Sequence, residues 1–187
     1  ICLVLGYPAA YIMAMADFKT PQVMAMLFIL PMWINFLLRT IATVELFRMF
    51  GLPLGEGALL FGMVYDFLPF MIYPIYNTLQ KMDTSLIEAA HDLGAKRHQV
   101  FMKVTLPLSV PGIYSGIVMV FMPTVSTFAI AELLTHNKVT LFGSLIQRCF
   151  GEGGIAMWNY GAALSLIMLI IIGLTSFFGG DKEDINR

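Results

Sequence analysis

The sequence predicts an all-α fold, a polytopic transmembrane helical bundle forming a single domain over residues 1–187. Three observations predict it. Of 187 residues, 58% are apolar and only 12% charged, against about 25% charged in soluble domains. Mean hydropathy is +0.80. The apolar residues are also gathered into runs close to the ~20 residues that a membrane-crossing helix needs, with short polar stretches between them. Fourteen Met and fifteen Phe suit lipid-facing and helix-packing surfaces. A net charge of −1 supplies no basic field for nucleic acid. Cys2 and Cys149 lie far apart and form no redox or metal motif.

Five spans are expected in order. The first covers 1–16, loosened at Gly6-Tyr7-Pro8, which neighbouring helices can tolerate. The chain opens at Ile1 inside this apolar run, so a sixth span is expected to precede it. Asp17 to Gln22 form a short polar turn. The second span covers 23–38, is interrupted by Pro31 and closes on Trp33, Asn35 and Arg39, residue types that suit a membrane interface. A loop with Arg39, Glu45, Arg48 and Glu56 follows over 39–56, with a short amphipathic piece around Val44 to Phe50. The third span covers 57–78 and leads into the polar loop 79–107. The fourth covers 108–131 and contains Pro111 and Pro123. A glycine-rich polar loop occupies 132–157. The last span covers 158–178, opening on an interfacial anchor of Trp158, Asn159 and Tyr160, and a charged tail runs to Arg187.

Basic residues set the orientation. Seven (Lys19, Lys81, Lys96, Arg97, Lys103, Lys182 and Arg187) fall on one side, and four (Arg39, Arg48, Lys138 and Arg148) on the other. The excess places the loop 79–107 in the cytoplasm.

That loop carries the most information. Ser85 and Glu88 stand at capping-box spacing, so a helix is expected from Leu86, with Leu86, Ile87, Ala90 and Leu93 recurring at helical spacing. Gly94 falls where a glycine closes a helix. A second helical stretch follows, with Val100, Phe101 and Val104 apolar, until Leu106-Pro107 breaks the pattern. A short helix pair with a small apolar face, set between two spans, needs a surface to bury that face against.

Glu88-Ala89-Ala90, then Gly94, then Val104-x-Leu106-Pro107 resembles the EAA loop of ABC-importer permeases, departing only in Val104 for Ile. Further stretches are similar to the spermidine/putrescine branch of that family. They are GYP at 6–8, PMWINFLLR at 31–39, LPFMIYPIY at 68–76, EAAHDLGA at 88–95 and WNYGAALSL at 158–166. The resemblance implies a type I ABC importer permease in the bacterial plasma (inner) membrane. It implies that Glu88, Ala89, Ala90, Gly94, Leu106 and Pro107 couple the chain to a cytoplasmic ATPase. The implied partners are a second permease in a hetero-pair, two ATPase subunits and an extracytoplasmic substrate-binding protein. No cofactor is expected in this chain, because ATP and Mg would be bound by the ATPase. The same loop also occurs in importers of ferric iron, sulfate or thiamine, which stay open as alternatives, and a non-transporting membrane scaffold or a secondary transporter without an ATPase is the reading from another class.

No catalytic constellation is expected. His91, His98 and His136 are not at metal-ligand spacing, and GEGG at 151–154 lacks the Lys-Ser/Thr of a P-loop. Asp66 is the most informative single residue, because a charge near the middle of a span is costly and is read first as functional. On a helix it shares a face with Phe70, Tyr73 and Asn77. A carboxylate among aromatic rings suits an organic di- or triamine, whose charge ring faces attract. The alternative is a structural Asp, paired across helices or held protonated. Glu132, in the segment Phe128-x-Ile130-x-Glu132-Leu133-Leu134, again resembles the polyamine permeases. It is either a collector of incoming cations on the substrate path or a solvated acid at a helix end.

Overall fold

A computed structural model of the chain describes residues 1–15, 23, 26–28, 30–136, 138–151 and 154–180, with the backbone alone at 154–156 and 177–180. The expected turn at 17–22 and the tail beyond 180 lie outside the described residues, as do Lys19, Lys182 and Arg187 of the orientation count. Among the described residues the structure is helical: α1 Cys2–Met15, a 3-10 turn Leu30–Trp33, α2 Phe36–Met49, α3 Glu56–Gln80, α4 Thr84–Asp92, α5 Arg97–Ser126, α6 Ala129–Thr135, α7 Phe142–Gly151 and α8 Gly154–Gly180.

Helix α3 is the centre of the packing. On one side Tyr7, Ala10 and Met13 of α1 bury against its Met71, Ile72, Ile75, Tyr76 and Leu79. On another side α5 presents Ser109, Gly112 and Gly116, which are buried and share one helical face. A Cβ at Gly112 would lie 2.9 Å from the Pro74 carbonyl oxygen, and one at Gly116 would lie 2.7 Å from Met71 Sδ. Lipid tails are as apolar as the helices, so association in a membrane draws on close backbone approach at such small residues. A second core joins Val44 of α2 and Ala58, Leu59 and Phe67 of α3 to Ile130, Ala131 and Leu134 of α6.

Of the five expected spans, three are helices long and apolar enough to cross a membrane, Glu56–Gln80, Arg97–Ser126 and Met157–Ser176 within α8. The first is the 14-residue α1. The second is not straight: Met26–Trp33 and Phe36–Met49 meet at 96°. Pro31 ends one piece, and Asn35 starts the next by accepting a 2.8 Å hydrogen bond from the Leu37 N–H. The stretch 39–56, expected as a loop, therefore opens with most of a helix. Its charges misled the expectation. Arg39 turns inward, while Arg48 and Glu45 pair on the surface at 2.9 Å.

The fourth span starts early, at Arg97, and ends at Ser126, where the extended backbone of Thr127 turns the chain out before α6. The polar loop expected at 132–157 holds α7 and the end of α6. Gly143 is needed there, since a Cβ would meet the Ser126 and Thr127 carbonyl oxygens at 2.5 and 2.6 Å. The last span begins at Gly154 rather than at 158. Trp158 and Tyr160 near its start are half exposed.

Candidate functional site

The loop between α3 and α5 is built from local chemistry. Asp83 caps α4: its carboxylate accepts a 2.9 Å hydrogen bond from the Ser85 N–H. The hydrogen bonds from Ser85 hold the Asp83 carboxyl below its ordinary range. The helix thus starts at Thr84, not at Leu86 behind a Ser85 cap. Asp is as good a cap as Ser and stands two residues earlier. At the other end Gly94 has φ +80°. Its N–H bonds the His91 carbonyl at 2.8 Å, and the Ala95 N–H bonds the Ala90 carbonyl at 3.1 Å. This pair of bonds is a Schellman motif, as the position of Gly94 predicted.

No residue of α4 is buried. Glu88 and Ala89 are exposed and Ala90 half-buried, while Leu86 and Leu93 are 47% and 89% exposed. A hollow of about 340 Å³ lies beside them, with Ala90, Leu93 and Gly94 on one wall and Val100 and Val104 on the other. The Lys96 N–H then bonds the Gln99 side-chain oxygen at 2.9 Å, starting α5. Helix α5 runs through Leu106-Pro107 without a break. Phe101–Thr105 form a π turn, with the Leu106 N–H reaching back to the Phe101 carbonyl. The wider turn accommodates Pro107, which has no N–H to donate. Leu106 packs on the first core, and Pro107 is exposed.

The second candidate region lies on the N-terminal half of α3. Asp66 is 1% exposed and Arg39 of α2 is 7% exposed, with Arg39 Nε 3.2 Å from Asp66 Oδ1. Thr40 Oγ1 lies 3.2 Å from Asp66 Oδ2 and 2.9 Å from the Phe36 carbonyl oxygen. The guanidinium also sits 5.9 Å from the centre of the Tyr65 ring. Neither Arg39 Nε nor Nη1 makes an aligned hydrogen bond, so the pair is chiefly one of charge.

Arg39 forms part of the wall of a cavity of about 560 Å³, with Trp33, Asn35, Phe67, Phe70 and Phe128. Of the residues expected on a substrate path, Phe70 lines this cavity. Asp66 does not; it stands behind Arg39. Tyr73 is 43% exposed further along α3. Asn77 and Glu132 are half-buried, and neither they nor Tyr73 line the cavity. Arg39 itself was expected only as an interfacial residue. The signal for it was Asp66, since a charge inside a span calls for a partner on another helix.

Comparison with known proteins adds to this geometry. Residues 6–180 match the profile of the family described as binding-protein-dependent transport system inner membrane component. The chain is 36% identical to the spermidine/putrescine transport system permease protein PotB of Escherichia coli (strain K12), over 92% of this chain and 68% of that protein. It is 35% identical to the protein of the same name from Haemophilus influenzae, over 95% and 67%. A homologue in Mycoplasma pneumoniae is 31% identical over 79% and 56%. The chain thus spans about two thirds of the length of the first of these curated relatives. Among solved structures, an inward-facing MetNI methionine ABC transporter matches with TM-score 0.72 and 20% identity, covering 95% of this chain and 84% of that one. That likeness concerns the fold.

Proposed function

Because the chain belongs to the family of binding-protein-dependent transport system inner membrane components, and so is a multi-pass inner-membrane permease, we propose that it is a permease subunit of an ATP-driven importer of polyamines, spermidine and putrescine among them. One observation carries the coupling half of this reading. Helix α4 bears the Glu88-Ala89-Ala90 motif, is capped at both ends, and buries none of its residues. A short, rigid helix with an uncovered apolar side fits a groove on a partner and transmits a rigid-body push. Glu88, Ala89, Ala90 and Gly94 make the contact; Leu106 and Pro107 tie it to α5. The partner is an ATPase that binds ATP and Mg and hydrolyses the nucleotide. This chain supplies the path. A second, related permease, a pair of ATPase subunits and an extracytoplasmic binding protein complete the machine.

The substrate half rests on the relatives' names and on the cavity. Its aromatic walls attract organic cations, and Asp66 neutralises Arg39, which otherwise would repel them. Phe70, Tyr73 and Asn77 continue the path along α3, and Glu132 gathers the cation from outside. Uptake of labelled spermidine by the assembled importer tests this, with unlabelled putrescine, sulfate, thiamine and ferric iron as competitors. Competition by putrescine alone supports the reading, and competition by one of the others replaces the substrate.

A further inference from the structure

The π turn near the start of α5 places Phe101 against α1. Its ring meets Tyr7 edge-on at 5.9 Å and 81°, and Tyr11 at 5.4 Å and 88°. These distances and angles are the favoured edge-to-face geometry of aromatic pairs. The Tyr7 hydroxyl is pinned by Ser109, whose Oγ lies 3.0 Å away. Ser109 donates its own proton to the Leu106 carbonyl at 2.8 Å, so Tyr7 donates to Ser109. The first turns of α5 therefore hold both the ring of Tyr7, at Phe101, and its hydroxyl, at Ser109. Next to Phe101 on α5, Val100 and Val104 line the hollow beside Ala90 and Gly94 of the α4 end.

Helix α1 in turn lies hard against α3, where a Cβ at Gly6 would come within 2.9 Å of Met71 Cγ. Helix α4 is tied to the start of α5 by hydrogen bonds rather than by packing. They run from the Ala95 N–H to the Ala90 carbonyl at 3.1 Å, from the Lys96 N–H to the Gln99 side chain at 2.9 Å and from the Val100 N–H to the Lys96 carbonyl at 3.0 Å. From Phe101 through α1 to α3 the route is close-packed, and packed elements of this kind move as units rather than deform.

We propose that Phe101 is the positioning residue that carries displacement of α4 to α1, with Tyr7 and Tyr11 as its grip. The proposal rests on the importer reading above. Two measurements on the assembled complex test it, with Cys2 and Cys149 replaced by Ala. Spin labels at Ile12→Cys on α1 and Lys96→Cys beside α4, both exposed positions, report whether the two segments move together. ATP hydrolysed per polyamine transported reports coupling.

Wild type gives one narrow distance that nucleotide leaves unchanged. Phe101→Leu keeps apolar bulk but removes the ring edge, so the distance broadens and responds to nucleotide. ATP per polyamine then rises about five- to tenfold, the scale of losing an aromatic edge contact. Phe101→Tyr restores both readouts. The proposal is overturned if Phe101→Leu keeps the wild-type distance and ratio, or if hydrolysis and uptake fall only in proportion to assembled complex. A wild-type complex that moves no polyamine overturns the importer reading and the transmission with it, while the distance pair still reports whether Phe101 holds α1.

Discussion

Arg39 Nε and Asp66 Oδ1 are 3.2 Å apart across the α2–α3 contact, and both residues are buried. Removing one partner of a buried ion pair leaves the other charge uncompensated, which costs about 3–5 kcal/mol. Asp66→Asn is therefore expected to lower the amount of folded complex sharply. The double variant Arg39→Gln/Asp66→Asn, which removes both charges, is expected to recover most of it. Thermal challenge of the detergent-solubilised complex measures this. If uptake per assembled complex falls in Asp66→Asn but assembly does not, Asp66 meets the substrate directly.

Gly94 ends α4 at φ +80° with open space around its missing side chain. Within this chain only the backbone conformation constrains it, and a left-handed residue other than Gly or Asn costs roughly 1–2 kcal/mol. Gly94→Val is expected to fray α4 and raise ATP hydrolysed per substrate moved, with the protein still in the membrane. Gly94→Asn, which tolerates that conformation, is expected to stay close to wild type. Equal behaviour of the two variants removes the conformational account of Gly94.

Gly112 and Gly116 differ in what a side chain would strike. At Gly112 a Cβ meets Thr78 Oγ1 at 2.5 Å and the fixed Pro74 carbonyl oxygen at 2.9 Å; at Gly116 its nearest neighbour is the flexible Met71 Sδ at 2.7 Å. Gly112→Ala is expected to destabilise by about 1–3 kcal/mol, the usual range for overpacking, and Gly116→Ala by less. Midpoints of thermal unfolding in detergent rank the two.

The Asp83 cap gives α4 a defined pH dependence. Its folded carboxyl titrates below the ordinary 3.8. The unfolded chain thus binds the proton first as pH falls, and the cap's contribution is complete above 3.8 and lost as pH drops through the folded value. Amide protection of α4, corrected for intrinsic exchange, is expected to be flat from neutral pH down to that point and to decline below it. Asp83→Ser keeps a cap without a titrating group and is expected to remove the decline.

How much of this was legible in the sequence varies by element. The third and last spans and the short helix of the loop 79–107 were readable, because long apolar runs and capping residues are local signals. Gly94 was readable for the same reason: a Schellman motif needs only neighbouring residues. The helix at Phe36–Met49 was not, since Arg39, Glu45 and Arg48 look like a loop until Arg39 is seen to face Asp66, 27 positions along the chain. The start of α5 at Arg97 was hidden by Pro107, which reads as a breaker unless a π turn absorbs it. At Asp66 the sequence offered both a binding and a structural role. The partner that gives it the second role lies on a different helix, beyond the reach of any periodicity.

The most direct test of the account is ATP-dependent accumulation of labelled spermidine in vesicles containing this permease. The vesicles also need its partner permease and the ATPase, with the binding protein on the receiving side. The account predicts accumulation that needs ATP, is displaced by putrescine, and is lost in Gly94→Val while ATP hydrolysis continues. Vesicles that hydrolyse ATP yet accumulate no polyamine, with the wild-type permease present and assembled, would contradict it.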